Sequence, residues 1–156
     1  IRRQRQMCIR DSYDPILRQA AALHVGRKGL FLGIIENSIK ALGSLPQNLL
    51  VAIGPHIRRC CYFLKKETTP YILKSRWRAY IERRGEKIYL DLTRIAKDKL
   101  LRLGVAGDRI EDCSICTFCE SERFFSARRR EKWLESCRKE EKETFPCFGS
   151  FIGLKA

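Results

Sequence analysis

Methionine occurs once in these 156 residues, histidine and tryptophan twice each, and proline five times. No apolar run approaches the ~20 residues that a membrane-spanning helix needs, so a helical span is excluded as a reading of this sequence. The opening residues, IRRQRQMCIRDS, lack the apolar core of a signal peptide. There are no internal repeats and no low-complexity segments, which removes repeat arrays and tails from consideration. Acidic residues are the scarce charge. Against 32 lysines and arginines stand 18 aspartates and glutamates, a net charge of +14. Such an excess favours anionic partners: nucleic acid, acidic lipid or phosphate-bearing small molecules. A basic surface kept for solubility gives the same composition.

What is present is ordinary for one globular domain. Hydrophobic residues make up 44% of the chain, enough for a real core and too many for disorder. The chain opens on Ile1 and reads as a fragment. Its eight cysteines are Cys8, Cys60, Cys61, Cys113, Cys116, Cys119, Cys137 and Cys147. A secreted disulfide scaffold would be smaller and carry a signal peptide. The adjacent pair Cys60-Cys61 cannot bridge to itself without strain. The expectation is a reducing cytoplasm and free thiols.

Residues 1–12 show neither helical nor strand periodicity, and Tyr13-Asp14-Pro15 reads as a turn. Residues 20–23 form a short apolar run before a glycine, a buried strand. Phe31, Ile34, Ile35, Ile39 and Leu42 then recur at helical spacing up to Gly43. Residues 49–53, LLVAI, predict a second strand closed by Gly54-Pro55. Thr69-Pro70 predicts a helix start, with Tyr71, Trp77 and Ile81 inward and an end near Glu82. Residues 88–90 read as a short strand. Asp91 caps a helix whose apolar stripe is Leu92, Ile95, Ala96, Leu100 and Leu103, ended by Gly104. Residues 109–115 and 147–154 read as further strands, and the charged stretch 127–143 as an exposed helix or loop. Alternating strands and helices argue for an α/β or α+β domain.

Three groups of residues could carry chemistry. His24 sits between a strand end and the basic turn Gly26-Arg27-Lys28-Gly29, where α/β proteins place active groups. The glycines permit close backbone approach, a helix N-terminus favours an anion, and Lys28 adds a charge suited to phosphate. A packed histidine beside a structural turn has the same spacing. Cys113-x-x-Cys116-x-x-Cys119 has the spacing of metal ligands, with Cys137 as a distant fourth, but no second well-spaced pair exists and free thiols are the preferred reading. The segment ERFFSARRREKW interleaves aromatics with arginines, a pattern that can stack bases and hold phosphates. Arg128 and Arg129 are its best anion contacts.

The stretches ALHVGRKGLFLGII, AIGPHIRRCCY, YLDLTRIAKDKLLRLGV, CTFC and RFFSARR occur in order. Together they resemble the laccase-domain family, also called the multicopper polyphenol oxidoreductase or bacterial purine nucleoside phosphorylase family. The resemblance runs from Tyr13 to Lys155 and leaves residues 1–12 unmatched. It implies that residues 13–156 are the C-terminal part of a layered α/β (α+β) sandwich, with mixed central sheets flanked by helices. It also implies that His24 is a catalytic residue and a zinc ligand. Lys28, Ser126, Arg128 and Arg129 are implied as substrate and phosphate contacts. Arg27 stands where the family has tryptophan, Arg58-Arg59 where it has Gly-Pro, and Ala127 where it has tyrosine. The family's other two zinc ligands, in Val-His-Gly and Ala-Asp-Cys-Pro-like motifs, belong upstream of Tyr13. Neither motif is present, although Cys8 lies near the position of the second.

The implied reaction is zinc-dependent phosphorolysis of purine nucleosides, with deamination of adenosine beside it. This chain is expected to be slow or inactive without its co-ligands. Purine nucleoside and phosphate are the implied partners, with no membrane. Copper is the less favoured metal, because multicopper oxidation needs many imidazoles and only His24 and His56 exist here. Two other classes remain open: a basic nucleic-acid-binding domain and an inactive family member. The sequence leaves the oligomeric state open.

Overall fold

A computed structural model describes residues 9–130 of the chain. Cys8, Cys137, Cys147, the charged stretch beyond Arg130 and the strand expected at 147–154 lie outside the described residues. Six strands are described: β1 (Ile9–Asp14), β2 (Gln19–His24), β3 (Leu50–Ile53), β4 (Ile81–Arg84), β5 (Lys87–Leu90) and β6 (Ile110–Asp112). Four helices join them: α1 (Arg27–Phe31), α2 (Ile34–Leu42), α3 (Thr69–Leu73) and α4 (Leu92–Arg102). The main sheet has the order β2-β1-β3-β6. β1 runs antiparallel to both its neighbours, whereas β3 and β6 are parallel, so the sheet is mixed. β4 and β5 form a separate hairpin. The α/β class expected from the sequence is the class observed.

The strand β1 begins at Ile9, inside the stretch 1–12 in which the sequence shows neither helical nor strand periodicity. Its inward side carries Ser12 and Asp14, both buried, so no apolar alternation marks it in the sequence. Pairing on both sides imposes the strand instead: Ser12 lies opposite Ala21 on one flank and Val51 on the other. The turn that follows was legible. The Asp14 Oδ1 accepts the backbone N–H of Ile16 at 2.8 Å and of Leu17 at 3.1 Å, holding the link into β2.

The single helix expected after Leu30 is two helices. Gly33, at φ +75°, breaks the run between α1 and α2 by adopting a left-handed conformation that a side chain would resist. Ile35 and Ile39 of α2 then face inward with Leu30, and meet Ile95, Ala96 and Leu100 of α4 in one core. Asp91 caps α4 as expected, its Oδ1 accepting the Arg94 N–H at 2.9 Å. β3 contributes Val51 and Ile53 to the interior while Leu50 and Ala52 face outward, as its period of two requires. No helix among the described residues is long and apolar enough to cross a membrane.

The helix expected from Thr69 to about Glu82 is cut short at Leu73. Ser75 ends it by donating to the Ile72 carbonyl and accepting the Trp77 N–H, which starts a 3-10 turn over Arg76–Tyr80. The chain then enters β4, and Gly85 at φ +56° turns it into β5. Tyr71, Trp77 and Ile81 imitate helical spacing, but Arg84-Gly85-Glu86 is a hairpin signal that outweighs it. Leu64 N–H bonds the Ile88 carbonyl and Leu90 N–H the Tyr62 carbonyl, so the hairpin braces the segment that follows Cys61.

Candidate functional site

His24 is the last residue of β2, where the sequence put it, although among the described residues β2 is a sheet edge and its residues 20–24 are half-buried rather than enclosed. The imidazole folds back over the turn: a Cβ on Gly26 would lie 3.1 Å from His24 Nε2. A side chain at 26 would therefore press on the His24 ring, which would have to give by a few tenths of an ångström. A Cβ added at Gly29 would lie 3.3 Å from the Ile34 side chain. Lys28 is exposed on α1. The expected anion site at a helix N-terminus is not supported, because α1 has only five residues and too few aligned peptides for a useful dipole. Arg27, in place of the family's tryptophan, donates from Nη1 to Thr68 Oγ1 at 2.6 Å and ties the turn to the start of α3.

His56, the other histidine, is a framework group. It is 2% exposed, with Nδ1 2.9 Å from the Gly54 carbonyl and Nε2 2.6 Å from Thr93 Oγ1. The carbonyl can only accept, so Nδ1 carries a proton, and Nε2 pairs with the Thr93 hydroxyl. Its backbone continues the sheet. His56 N–H bonds the Ile115 carbonyl, and Thr117 N–H bonds the His56 carbonyl, extending the parallel contact of β3 with β6.

Asp112 holds the end of β6. It receives Arg58 Nη1 at 2.7 Å and Nη2 at 3.0 Å, with Lys97 Nζ at 3.0 Å and the Ser114 N–H at 3.0 Å. Burial works to raise this carboxyl, but the Arg58, Ser114 and Lys97 donors outweigh it and hold it well below the usual carboxylate range. Arg58 thus has a defined structural partner.

The segment expected to bind phosphate divides. Arg129 spends its guanidinium on backbone: Nη1 donates to the Thr117 carbonyl at 2.9 Å and the Phe118 carbonyl at 2.7 Å, and Nη2 to the Phe124 carbonyl. Ser126 is fully buried and its hydroxyl has no hydrogen-bond partner among the described residues. Arg128 donates from Nη2 to the Phe63 carbonyl at 3.3 Å and lies 4.6 Å above the Phe63 ring and 5.6 Å from that of Tyr62. It lines a cavity of ≈ 690 Å³ with Lys65, Lys66 and Lys87. His24 and Lys28 are not in the described lining. The Arg27 bond to Thr68 nevertheless brings their turn to its rim, because Glu67 and Thr69 line the cavity.

Sequence reasoning missed the partners of the cysteines. Cys116 and Cys119 meet Cys60 and Cys61, with all four sulfurs within 4.8 Å of one another. Cys113 is exposed outside this group. The signal available was the adjacent pair Cys60-Cys61, which supplies the second half of a four-sulfur set. The other half of the signal, that β3 and β6 are parallel neighbours, is tertiary. This is the one group of three or more metal-ligating side chains among the described residues, and His24 is not part of it. The described residues therefore do not by themselves give His24 the three-ligand site of a catalytic zinc.

A family profile described as multi-copper polyphenol oxidoreductase laccase matches residues 12–135. The chain is similar to the purine nucleoside phosphorylase YfiH of Escherichia coli (strain K12), 30% identical over 117 residues, covering 71% of this chain and 46% of that protein. It is 34% identical over 119 residues to the purine nucleoside phosphorylase SCO2081 of Streptomyces coelicolor, covering 74% of this chain and 48% of that one. Among solved structures, it resembles the hypothetical protein YfiH of Bacillus licheniformis, with TM-score 0.66 and 30% identity over 79% of this chain and 49% of the other. YlmD from Geobacillus stearothermophilus aligns with TM-score 0.68 and 26% identity over 81% of this chain and 50% of that one. The chain spans about half the length of these relatives. With the mixed sheet, the histidine at the end of β2 and a profile match over most of its residues, the chain belongs to the laccase-like multi-copper polyphenol oxidoreductase family.

Proposed function

We propose that the chain is part of a zinc-dependent purine nucleoside phosphorylase, with adenosine deamination as a related activity. In this reading His24 is one metal ligand, and the other donors come from outside the described residues. The observation that carries the reading is the fit of His24 against Gly26, where a Cβ would stand 3.1 Å from Nε2. The ring lies close over the turn at the end of β2, with little room left beside it at position 26. The names of the curated relatives supply the reaction class.

Phosphorolysis needs cations that meet phosphate without a large desolvation cost. Arg128 serves this best. Its guanidinium is oriented by the Phe63 and Tyr62 rings and faces a basic cavity of ≈ 690 Å³, within the range of small-ligand sites. Lys28, exposed beside the rim, is the second contact. Ser126 and Arg129 support phosphate binding by fixing the segment that carries Arg128. The substrates are then a purine nucleoside and phosphate, and the cytoplasm, where thiols stay reduced, is the fitting compartment.

The test is release of hypoxanthine from inosine, and of adenine from adenosine, with phosphate and added zinc. The chain alone should turn over slowly or not at all. A version extended upstream to the length of the relatives should be active, and His24→Ala in that version should abolish turnover. Arg128→Ala should raise the KM for phosphate more than that for nucleoside. Full activity of the His24→Ala variant would overturn the reading.

A further inference from the structure

We propose that Cys60, Cys61, Cys116 and Cys119 form a second, structural metal site, a closed tetrathiolate that holds zinc. Four ligands around zinc at ~2.3 Å in a tetrahedron stand ~3.8 Å apart. Here Cys60 Sγ lies 3.7 Å and Cys61 Sγ 3.4 Å from Cys119 Sγ, and all four sulfurs fall within 4.8 Å of one another. The set is already close to the size of a tetrahedral thiolate cage. The separations also exceed the ~2.05 Å of a sulfur–sulfur bond, and the described cysteines are free.

The backbone around the cluster is built for thiolates. Cys116-Thr117-Phe118-Cys119 is a Cys-x-x-Cys turn, and the N–H groups of Phe118 and Cys119 point back at the Cys116 sulfur, joined by that of Arg58. The other half is also coiled: Cys61 N–H and Tyr62 N–H both bond the Arg58 carbonyl, a tight turn that lets adjacent sulfurs converge. Cys60 and Cys119 are exposed, so an ion can enter.

Four sulfurs leave no open position, which makes the site structural rather than catalytic. Soft thiolates in a tetrahedral set select zinc or iron over copper(II) or magnesium. The placement gives the ion a purpose. β3 and β6 are parallel, so the loops leaving their C-terminal ends emerge side by side, and the sulfurs clip one loop to the other. Tyr62 and Phe63, next to Cys61, stack on Arg128, while the Thr117 and Phe118 carbonyls between the other two cysteines hold Arg129. The clip therefore positions the arginine segment of the reading above, but the metal site stands or falls separately from it.

The test is metal analysis of the chain purified under reducing conditions without chelator. It should contain about one zinc per chain, with an X-ray absorption shell of four sulfurs at ~2.3 Å. Cobalt(II) exchanged into the site should give the intense visible bands of tetrahedral thiolate cobalt. Cys119→Ser should lose the zinc at least tenfold more readily to a chelator, whereas Cys113→Ser and His24→Ala should keep it. Should Cys119→Ser fail to fold, the absorption shell of the unaltered chain decides the matter alone. Bound iron, a shell containing nitrogen, zinc lost in His24→Ala, or no metal with all thiols reactive would each overturn the proposal. Failure of phosphorolysis with the four-sulfur zinc retained would overturn only the catalytic reading.

Discussion

Replacing Asp112 by alanine removes the acceptor for four donors at once. The Asp112 side chain is 7% exposed, that of Arg58 22% and that of Lys97 38%. An exposed ion pair contributes roughly 0.2–1 kcal/mol, whereas breaking a buried one costs roughly 3–5 kcal/mol. This cluster lies between the two but nearer the second, since its acceptor is shielded and two of its bonds come from one guanidinium. The expected loss is about 2–4 kcal/mol. At roughly 3–4 °C per kcal/mol for a chain of this size, the thermal midpoint should fall by roughly 6–16 °C. Circular dichroism melts with urea titrations measure both quantities. Because the folded carboxyl sits below its usual range, its contribution is complete above that range and disappears as pH falls through the folded value. The gap between the parent and Asp112→Ala should thus be full at pH 7 and begin to close below about pH 4. A shift under ~2 °C, or a gap that stays constant down to about pH 3, would refute the assignment.

Two further substitutions probe the framework. Thr93→Val removes the hydroxyl that faces His56 Nε2 in the interior and should cost about 1–3 kcal/mol in urea unfolding, the range for a buried polar atom left unsatisfied; a neutral result would mean that the ring does not depend on this bond. Gly33→Ala forces a side chain into φ +75° and should cost about 1 kcal/mol or more by the same measurement, while stabilisation there would show that α1 and α2 can merge into one helix.

The sequence was most readable where one local rule governs a segment. Asp91, Asp14 and Gly43 act through their own neighbours, and each acts where the pattern placed it. β2, β3, β5 and β6 carry enough apolar or β-branched character to be found within a residue or two, or inside the longer run expected for β6. β1 was hidden because its inward side chains are a serine and an aspartate, and β4 because an aromatic spacing over 71–81 imitates a helix. The site was legible in the same uneven way. The position of His24 at the end of a strand, followed by a glycine turn, was legible, whereas the packing of its ring over Gly26 was not. The diversion of Arg129 to backbone carbonyls could not be read, because it depends on how a loop closes far from its own residue type. Nor could the meeting of Cys60 and Cys61 with Cys116 and Cys119, since their sequence separation is bridged only by the pairing of β3 with β6.

That parallel pairing also sets the order in which the chain can assemble. The hairpin of β1 with β2 and that of β4 with β5 close over short loops, so they cost little chain entropy and can form early. Val51 meets Ile110 only after α3, the hairpin and α4 have been threaded between them. Such a contact closes a long loop and is costly in chain entropy until the intervening elements are in place. The Asp112 cluster and the four sulfurs lie at this same closure, so the C-terminal ends of β3 and β6 tie together parts of the chain that local structure alone leaves apart.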